Sequence, residues 1–131
     1  MDKVPSTAKL VYKTLTGFKV FQWLQNIGKK TVTFELLQRH DTVQVIPVKD
    51  GYVYCALQEQ PARPKYISLF GGAVEEGETP EFAGKRELLE ESGFKAEELE
   101  LFQVCNNIPR LDWSVYYVFS VEHINYKKQK S

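Results

Sequence analysis

Cysteine is nearly absent: the 131 residues hold two, Cys55 and Cys105, with no CxxC spacing between them. That excludes a disulfide framework and a cysteine-based zinc site. Both lie in apolar, strand-like runs, which reads as two buried free thiols acting as small hydrophobes. An excess of one charge is also missing, since Lys+Arg and Asp+Glu each number 17. A general binder of nucleic acid or of membrane surfaces would need a basic surplus, so neither partner is expected. No apolar run reaches the length of a membrane span, and "MDKVPSTAKLVYKTL" carries no signal-peptide core, so the expected compartment is cytoplasmic. There is no Gly-Lys-Ser/Thr of a Walker loop and no Ser-His-Asp order worth defending. His40 and His123 lack a nearby nucleophile and read as structural or surface residues. No internal repeat or low-complexity segment occurs.

What is present is a hydrophobic content of 43%, enough for a sizeable core in one domain or one domain with a small appendage. The first half is β-rich: "KLVYKT", "FKVFQWLQ" and "TVTFELLQ", the last two separated by a turn at Gly28. A mild boundary near Arg39-His40-Asp41 divides a strand unit, 1–40, from the remainder, 41–131. "TVQVIPV" and "YVYCALQEQ" flank Lys49-Asp50-Gly51, a hairpin signal. "QPARPK" is a loop and "YISLF" a short strand leading to Gly71-Gly72. Beyond residue 94, "KAEELE" reads as a polar connection. "LELFQVCN" and "WSVYYVFSV" read as strands, with Trp113, Tyr116 and Phe119 as core residues. Asn106 to Asp112 is a loop around Pro109, and the tail "NYKKQKS" a solvated, frayed end.

One helix is expected, starting at Pro80. Thr79 fits the N-cap, proline fits the first helical position, and Glu81 meets the positive end of the helix dipole. Gly93 fits the helix end. Gly84 lies inside and costs roughly 1 kcal/mol relative to alanine, which a close packing contact with the sheet would explain. Glu87 and Glu91 are four apart and share a helix face, with Glu90 at its edge. Left bare, such a pair destabilises a helix by about 0.2–0.5 kcal/mol. Carboxylates on one face are also what Mg2+ or Mn2+ prefers, and the upstream glycines let backbone approach a ligand. A plain polar helix face is the alternative.

The full spacing goes further. "GGAVEEGETPEFAGKRELLEESGF" resembles the Nudix box, G-x5-E-x7-R-E-U-x-E-E-x-G-U with U a bulky apolar residue. Gly72, Glu78, Arg86, Glu87, Leu88, Glu90, Glu91, Gly93 and Phe94 occupy its fixed positions. The resemblance implies an α+β fold: a Nudix-type α/β/α sandwich with a mixed sheet, preceded here by an N-terminal antiparallel strand unit. It implies Mg2+-dependent hydrolysis, with Mn2+ as substitute, of a pyrophosphate bond in a nucleoside diphosphate derivative. By this likeness Glu87 and Glu91 are metal ligands, with Glu90 a ligand or close support and the carbonyl of Gly71 a further ligand. Glu90, Glu91 and Arg86 form the catalytic group, Arg86 orienting the carboxylates, while Gly72, Glu78 and Gly93 shape the box.

The strands before the box are similar to those of the ADP-ribose and nucleoside-diphosphate-sugar pyrophosphatase branch. In that branch the N-terminal unit is exchanged across a homodimer and its aromatics can stack on the base. Phe18, Phe21 and Trp23 are candidates for that, or core residues. Pro109 sits where the branch tends to carry a proline, or is an ordinary loop proline. The branch often has Gln-aromatic-Arg where this chain reads Gln58-Glu59-Gln60; Arg63 is the nearest replacement for that arginine. It carries Leu-Pro-Ala-Gly where this chain reads Leu69-Phe70-Gly71-Gly72. Its last strand is followed by a loop that commonly supplies a glutamate, a further strand and a closing helix. Here those C-terminal elements are expected to be missing, and Glu122 does not match that glutamate's position.

Overall fold

The computed structural model describes residues 3–120 and the backbone of 124–126. Expectations for Glu122, His123 and the tail after Tyr126 lie outside the described residues. The chain divides into two compact units, one formed by residues 1–40 with 106–114 and the other by 41–105 continued from Val115.

The first unit is a sheet of β1 (Lys9–Lys13), β2 (Lys19–Ile27) and β3 (Lys30–Gln38), all antiparallel. Gly28, at φ 61°, makes the tight turn between β2 and β3, a conformation that only glycine adopts without strain. Alternation places Phe21 opposite Leu36 and Trp23 opposite Phe34, and the Trp23 and Phe34 rings stack at 5.9 Å. Residues 106–112, expected to be loop throughout, end in a short strand, β12 (Leu111–Asp112), parallel to the end of β3. The Lys3 ammonium secures the approach to it, donating to the carbonyls of Asn106 at 2.6 Å and Leu111 at 3.1 Å.

The second unit is built on a mixed sheet in the order β11–β13–β4–β9. Its strands are β4 (Thr42–Ile46), β9 (Phe70–Ala73), β11 (Leu99–Cys105) and β13 (Val115–Ser120). β13 runs parallel to β4, and the other two pairs are antiparallel. Strand β4 is central, so its valines have sheet on both sides. Helix α1 (Pro80–Ser92) covers the sheet, and Val43, Val45, Leu88, Ala83 and Val118 are fully removed from solvent. Burying a side chain such as Leu88 stabilises the fold by about 1.5–3 kcal/mol. Gly84 sits where a Cβ would lie 3.0 Å from both Leu99 and Val118 and 3.3 Å from Val45, so the helix–sheet approach does account for it.

Small ribbons complete this unit. β5 (Val48–Lys49) and β6 (Tyr52–Val53) close a hairpin through Asp50 and Gly51, both at positive φ. β7 (Ala56–Gln58) pairs with β8 (Tyr66–Ser68), and β10 (Phe94–Ala96) with β14 (Ile124–Tyr126).

Several expectations change. "YVYCALQEQ" is two short strands rather than one, broken at Tyr54-Cys55. "KAEELE" is not wholly a polar connection, because Ala96 in β10 and Leu99 join the core. Cys55 and Cys105 are exposed. Cys55 falls in the break between β6 and β7, and Cys105 ends β11, a strand at the sheet edge whose side chains beyond Leu99 face solvent. Trp113, Tyr116 and Phe119 are half-buried, and Val115 and Val118 take the interior positions of the last sheet strand.

Candidate active site

The glutamates meet the glycines where β9 passes α1. A Cβ on Gly72 would collide with the Glu87 carboxylate, with Cδ only 2.5 Å away, and one on Gly71 would strike the Val43 carbonyl. Both positions therefore require glycine for backbone to approach backbone on one side and a carboxylate on the other. The Gly71 N–H donates to Glu91 Oε1 at 2.9 Å. The helix carrying the acids starts as expected, with the Thr79 hydroxyl accepting from the Phe82 N–H at 3.2 Å. It ends at Gly93, left-handed at φ 78°, whose N–H bonds the Leu89 carbonyl.

Arg86 organises the acids. Its Nε and Nη2 grip both oxygens of Glu78, each at 2.9 Å. Nη2 also donates to the Ala73 carbonyl at 3.1 Å, and Nη1 to Glu87 Oε1 at 2.9 Å. Glu90 Oε2 lies 3.5 Å from Nη1. Glu78 additionally accepts from the Glu75 N–H at 2.8 Å, which ties the 74–79 loop to the helix. The Arg86 hydrogen bonds, then the Glu75 N–H, hold the Glu78 carboxyl below its ordinary pKa. The same pairing, with Glu78 first and Glu87 after it, raises the pKa of Arg86. A bidentate guanidinium–carboxylate pair fixes geometry as well as charge.

Glu91 is different. Partial desolvation pushes its pKa up although the residue is exposed, and the Glu87 carboxylate pushes the same way. The Gly71 N–H and the Gln58 side-chain amide pull it down. Glu87 is 15% exposed whereas Glu90 is 60% exposed, so Glu90 stands at the rim. Among the described residues no three His, Cys, Asp or Glu side chains are gathered around one point as a ready-made metal cage. The donor set nonetheless fits a hard divalent cation. Glu87, packed against Gly72, and Glu91, held by the Gly71 N–H, offer two carboxylates whose mutual repulsion such an ion would relieve, and Mg2+ commonly takes one or two protein carboxylates.

Glu78, Arg86, Glu87, Glu90, Glu91, Gly71 and Gly72 are thus brought together, with Gly93 ending the helix behind them. Arg63 lies on the β7–β8 ribbon, its guanidinium 4.0 Å from the centre of the Tyr66 ring. Phe21, Trp23 and Pro109 belong to the first unit. Two features escaped the sequence. One is the half-buried face that Gln58 takes on the β7–β8 ribbon; its only trace was a glutamine in the Gln58-Glu59-Gln60 run. The other is Arg39, set between Phe18 at 5.0 Å and Trp113 at 4.3 Å, with its Nε buried and without a hydrogen-bond partner among the described residues. Lys13, Lys19 and His40 join it around an open recess of about 220 Å³. Nothing in the local sequence brings those four side chains together; the sheet register does, pairing Lys13 with Lys19.

The NUDIX domain family matches residues 38–129. The chain belongs to the Nudix family. Over 98 residues it is 28% identical to the ADP-ribose pyrophosphatase of Bacillus subtilis (strain 168), covering 73% of this chain and 53% of that protein. The chain therefore spans about half the length of that curated relative. The crystal structure of an ADP compounds hydrolase superposes with a TM-score of 0.79 at 17% identity, covering 96% of this chain and 70% of that one, a likeness of fold. No helix among the described residues is long and apolar enough to cross a membrane.

Proposed function

We propose that this Nudix chain hydrolyses the pyrophosphate bond of a nucleoside diphosphate derivative. ADP-ribose or a nucleotide sugar is the favoured substrate, with a nucleoside monophosphate and a sugar phosphate as products. The observation that carries this is the placing of Glu87 against Gly72 and of Glu91 on the Gly71 N–H, with Arg86 bracing Glu87 and Glu78. Mg2+ or Mn2+ held there would polarise the diphosphate and make a bound water a better nucleophile. Glu87 and Glu91 are the ligands in this reading, with the Gly71 carbonyl beside them. Glu90, at the rim, and Glu91 are the carboxylates offered for proton transfer from water. Arg86 acts by position, because Nε, Nη1 and Nη2 all donate within the box. Water adds to one phosphorus, the bridging oxygen leaves with the other, and both products carry phosphate.

Arg63 on its ribbon is the guanidinium group we assign to a substrate phosphate. Phe21, Trp23 and Pro109 are assigned to the nucleoside. The similarity to the ADP-ribose pyrophosphatase of Bacillus subtilis supports the choice of ADP-ribose. Gln60, standing where the similar branch carries arginine, favours testing other nucleoside diphosphate derivatives beside it. We further assign the working form to a cytoplasmic homodimer.

The test is a panel of ADP-ribose, nucleotide sugars, dinucleoside polyphosphates and nucleoside triphosphates, with and without Mg2+ or Mn2+. Metal-dependent cleavage of one member, lost in Glu87→Gln and Glu91→Gln, supports the proposal. Nucleotide binding without turnover would make the chain a binding module instead.

A further inference from the structure

Among the described residues, Asp50, Ala62 and Arg110 take a positive φ without being glycine, at 53°, 61° and 63°. Asp50 turns the β5–β6 hairpin and Ala62 lies in the connection between β7 and β8, where such backbone is ordinary. Arg110 turns no hairpin. It stands just before β12, a bulky side chain in a conformation that favours glycine. The first unit holds it there from both sides. Its carbonyl accepts from the Leu37 N–H at 2.9 Å. The Lys3 ammonium, on the carbonyls of Asn106 and Leu111, pins the chain before and after it. A strained residue kept in place by its surroundings is a frequent mark of a functional position.

The side chain shows what the constraint serves. Arg110 is exposed, and its guanidinium carbon lies 6.0 Å from the centre of the Phe34 ring. Phe34 in turn stacks on Trp23, the ring planes 16° apart. Both rings are half-buried, so each keeps part of its surface open. The guanidinium donors meet no acid and no hydrogen-bond acceptor among the described residues. Open aromatic rings accept a base by stacking, and a planar guanidinium with free donors grips a phosphate through two parallel hydrogen bonds. Resting on the assignment of Trp23 to the nucleoside given above, we propose that Arg110 is a substrate-binding residue. It takes the phosphate of the nucleoside monophosphate half, whose base lies against Trp23 and Phe34. The strained backbone then lowers stability and is retained for the direction it gives the guanidinium.

The test is equilibrium binding of ADP-ribose, AMP and adenosine to the full chain in chelator, with thermal melts alongside. Arg110→Gly removes the guanidinium and takes φ 63° without strain. The expected result is ADP-ribose and AMP bound more weakly by about tenfold or more, the loss of a charge-assisted pair. Adenosine should bind as in wild type, and the melting temperature should be unchanged or higher. A purely structural arginine would give a lower melting temperature, with affinities either unchanged or reduced equally for AMP and adenosine; either pattern overturns the proposal. Arg110→Asn, which also tolerates the left-handed region, repeats the measurement should the glycine variant fail to fold. Failure of both to fold makes Arg110 structural and also overturns it. Wild type and Trp23→Ala separate the two levels of the argument. If wild type binds none of the three ligands, or Trp23→Ala binds adenosine as wild type does, the nucleoside assignment falls and the proposal with it. If Trp23→Ala weakens adenosine binding and Arg110→Gly leaves AMP binding unchanged, only the role of Arg110 falls.

Discussion

Replacing Gly84 by alanine sets two effects against each other, and the structure decides between them. Alanine inside a helix is favoured over glycine by about 1 kcal/mol. At Gly84, however, the new methyl would lie 3.0 Å from Leu99 and Val118 and 3.3 Å from Val45. Carbon atoms in contact prefer roughly 3.5–4.0 Å. Val45 and Val118 are fully buried and Leu99 is 5% exposed, so no neighbour has open space to retreat into. Overpacking of this kind costs roughly 1–3 kcal/mol. The net expectation is a loss of about 1 kcal/mol, a melting temperature lower by roughly 4 °C for a chain of this size. Urea denaturation should show a lower midpoint with an unchanged slope. Adding Val118→Ala should remove part of the clash, so the double variant should be less destabilised than the sum of the singles by about 0.5 kcal/mol or more. A Gly84→Ala protein as stable as wild type, or more stable, would refute the argument that helix–sheet proximity requires glycine here.

Three further outcomes are expected. Gly72→Ala should leave a folded protein with little metal-dependent turnover, since the added carbon occupies the space of the Glu87 carboxylate; retained turnover with intact circular dichroism would remove the close approach from the mechanism. Arg86→Lys should fold, yet lose most turnover, because an ammonium cannot reproduce the two-oxygen grip on Glu78 together with the bond to Glu87; near-normal activity would contradict the bracing role. The raised pKa of Glu91 means that folding favours its protonated form. Its stabilising effect is therefore present below the ordinary carboxylate value and is lost as pH rises through the folded value. In metal-free solution near neutral pH, Glu91→Gln should melt above wild type, with the gap closing as pH falls into the acid range. A variant melting below wild type at both pH values would show that Glu91 carries no such strain.

Much of the site was legible because its signals are local. Thr79-Pro80 and Gly93 bracket the helix by capping chemistry, and the spacing of Glu87, Glu90 and Glu91 places them without knowledge of the sheet. Gly84 announced a contact, though not with which strand. What stayed hidden depends on register and edges. Cys55 and Cys105 looked buried because apolar runs do not reveal which strand lies at an edge or where a strand breaks. Leu57 and Gln58 exchange faces with a single step of register, so no pattern along the chain could say that the glutamine points inward. Arg39 and Lys13 are 26 positions apart, and only the fold of the first unit brings them to one recess. Residues 106–114 read as part of the second unit's sequence, yet they complete the first unit's sheet.

The central claim is that Glu87 and Glu91 hold a divalent ion for cleavage of a diphosphate. The most direct measurement is hydrolysis of ADP-ribose by the 131-residue chain with Mg2+, with Mn2+ and with chelator, in wild type and in Glu87→Gln. The account expects AMP and ribose phosphate from wild type with either metal, none with chelator, and a near-complete loss in a Glu87→Gln protein that still folds. Turnover that persists in chelator, or that survives Glu87→Gln undiminished, would contradict it.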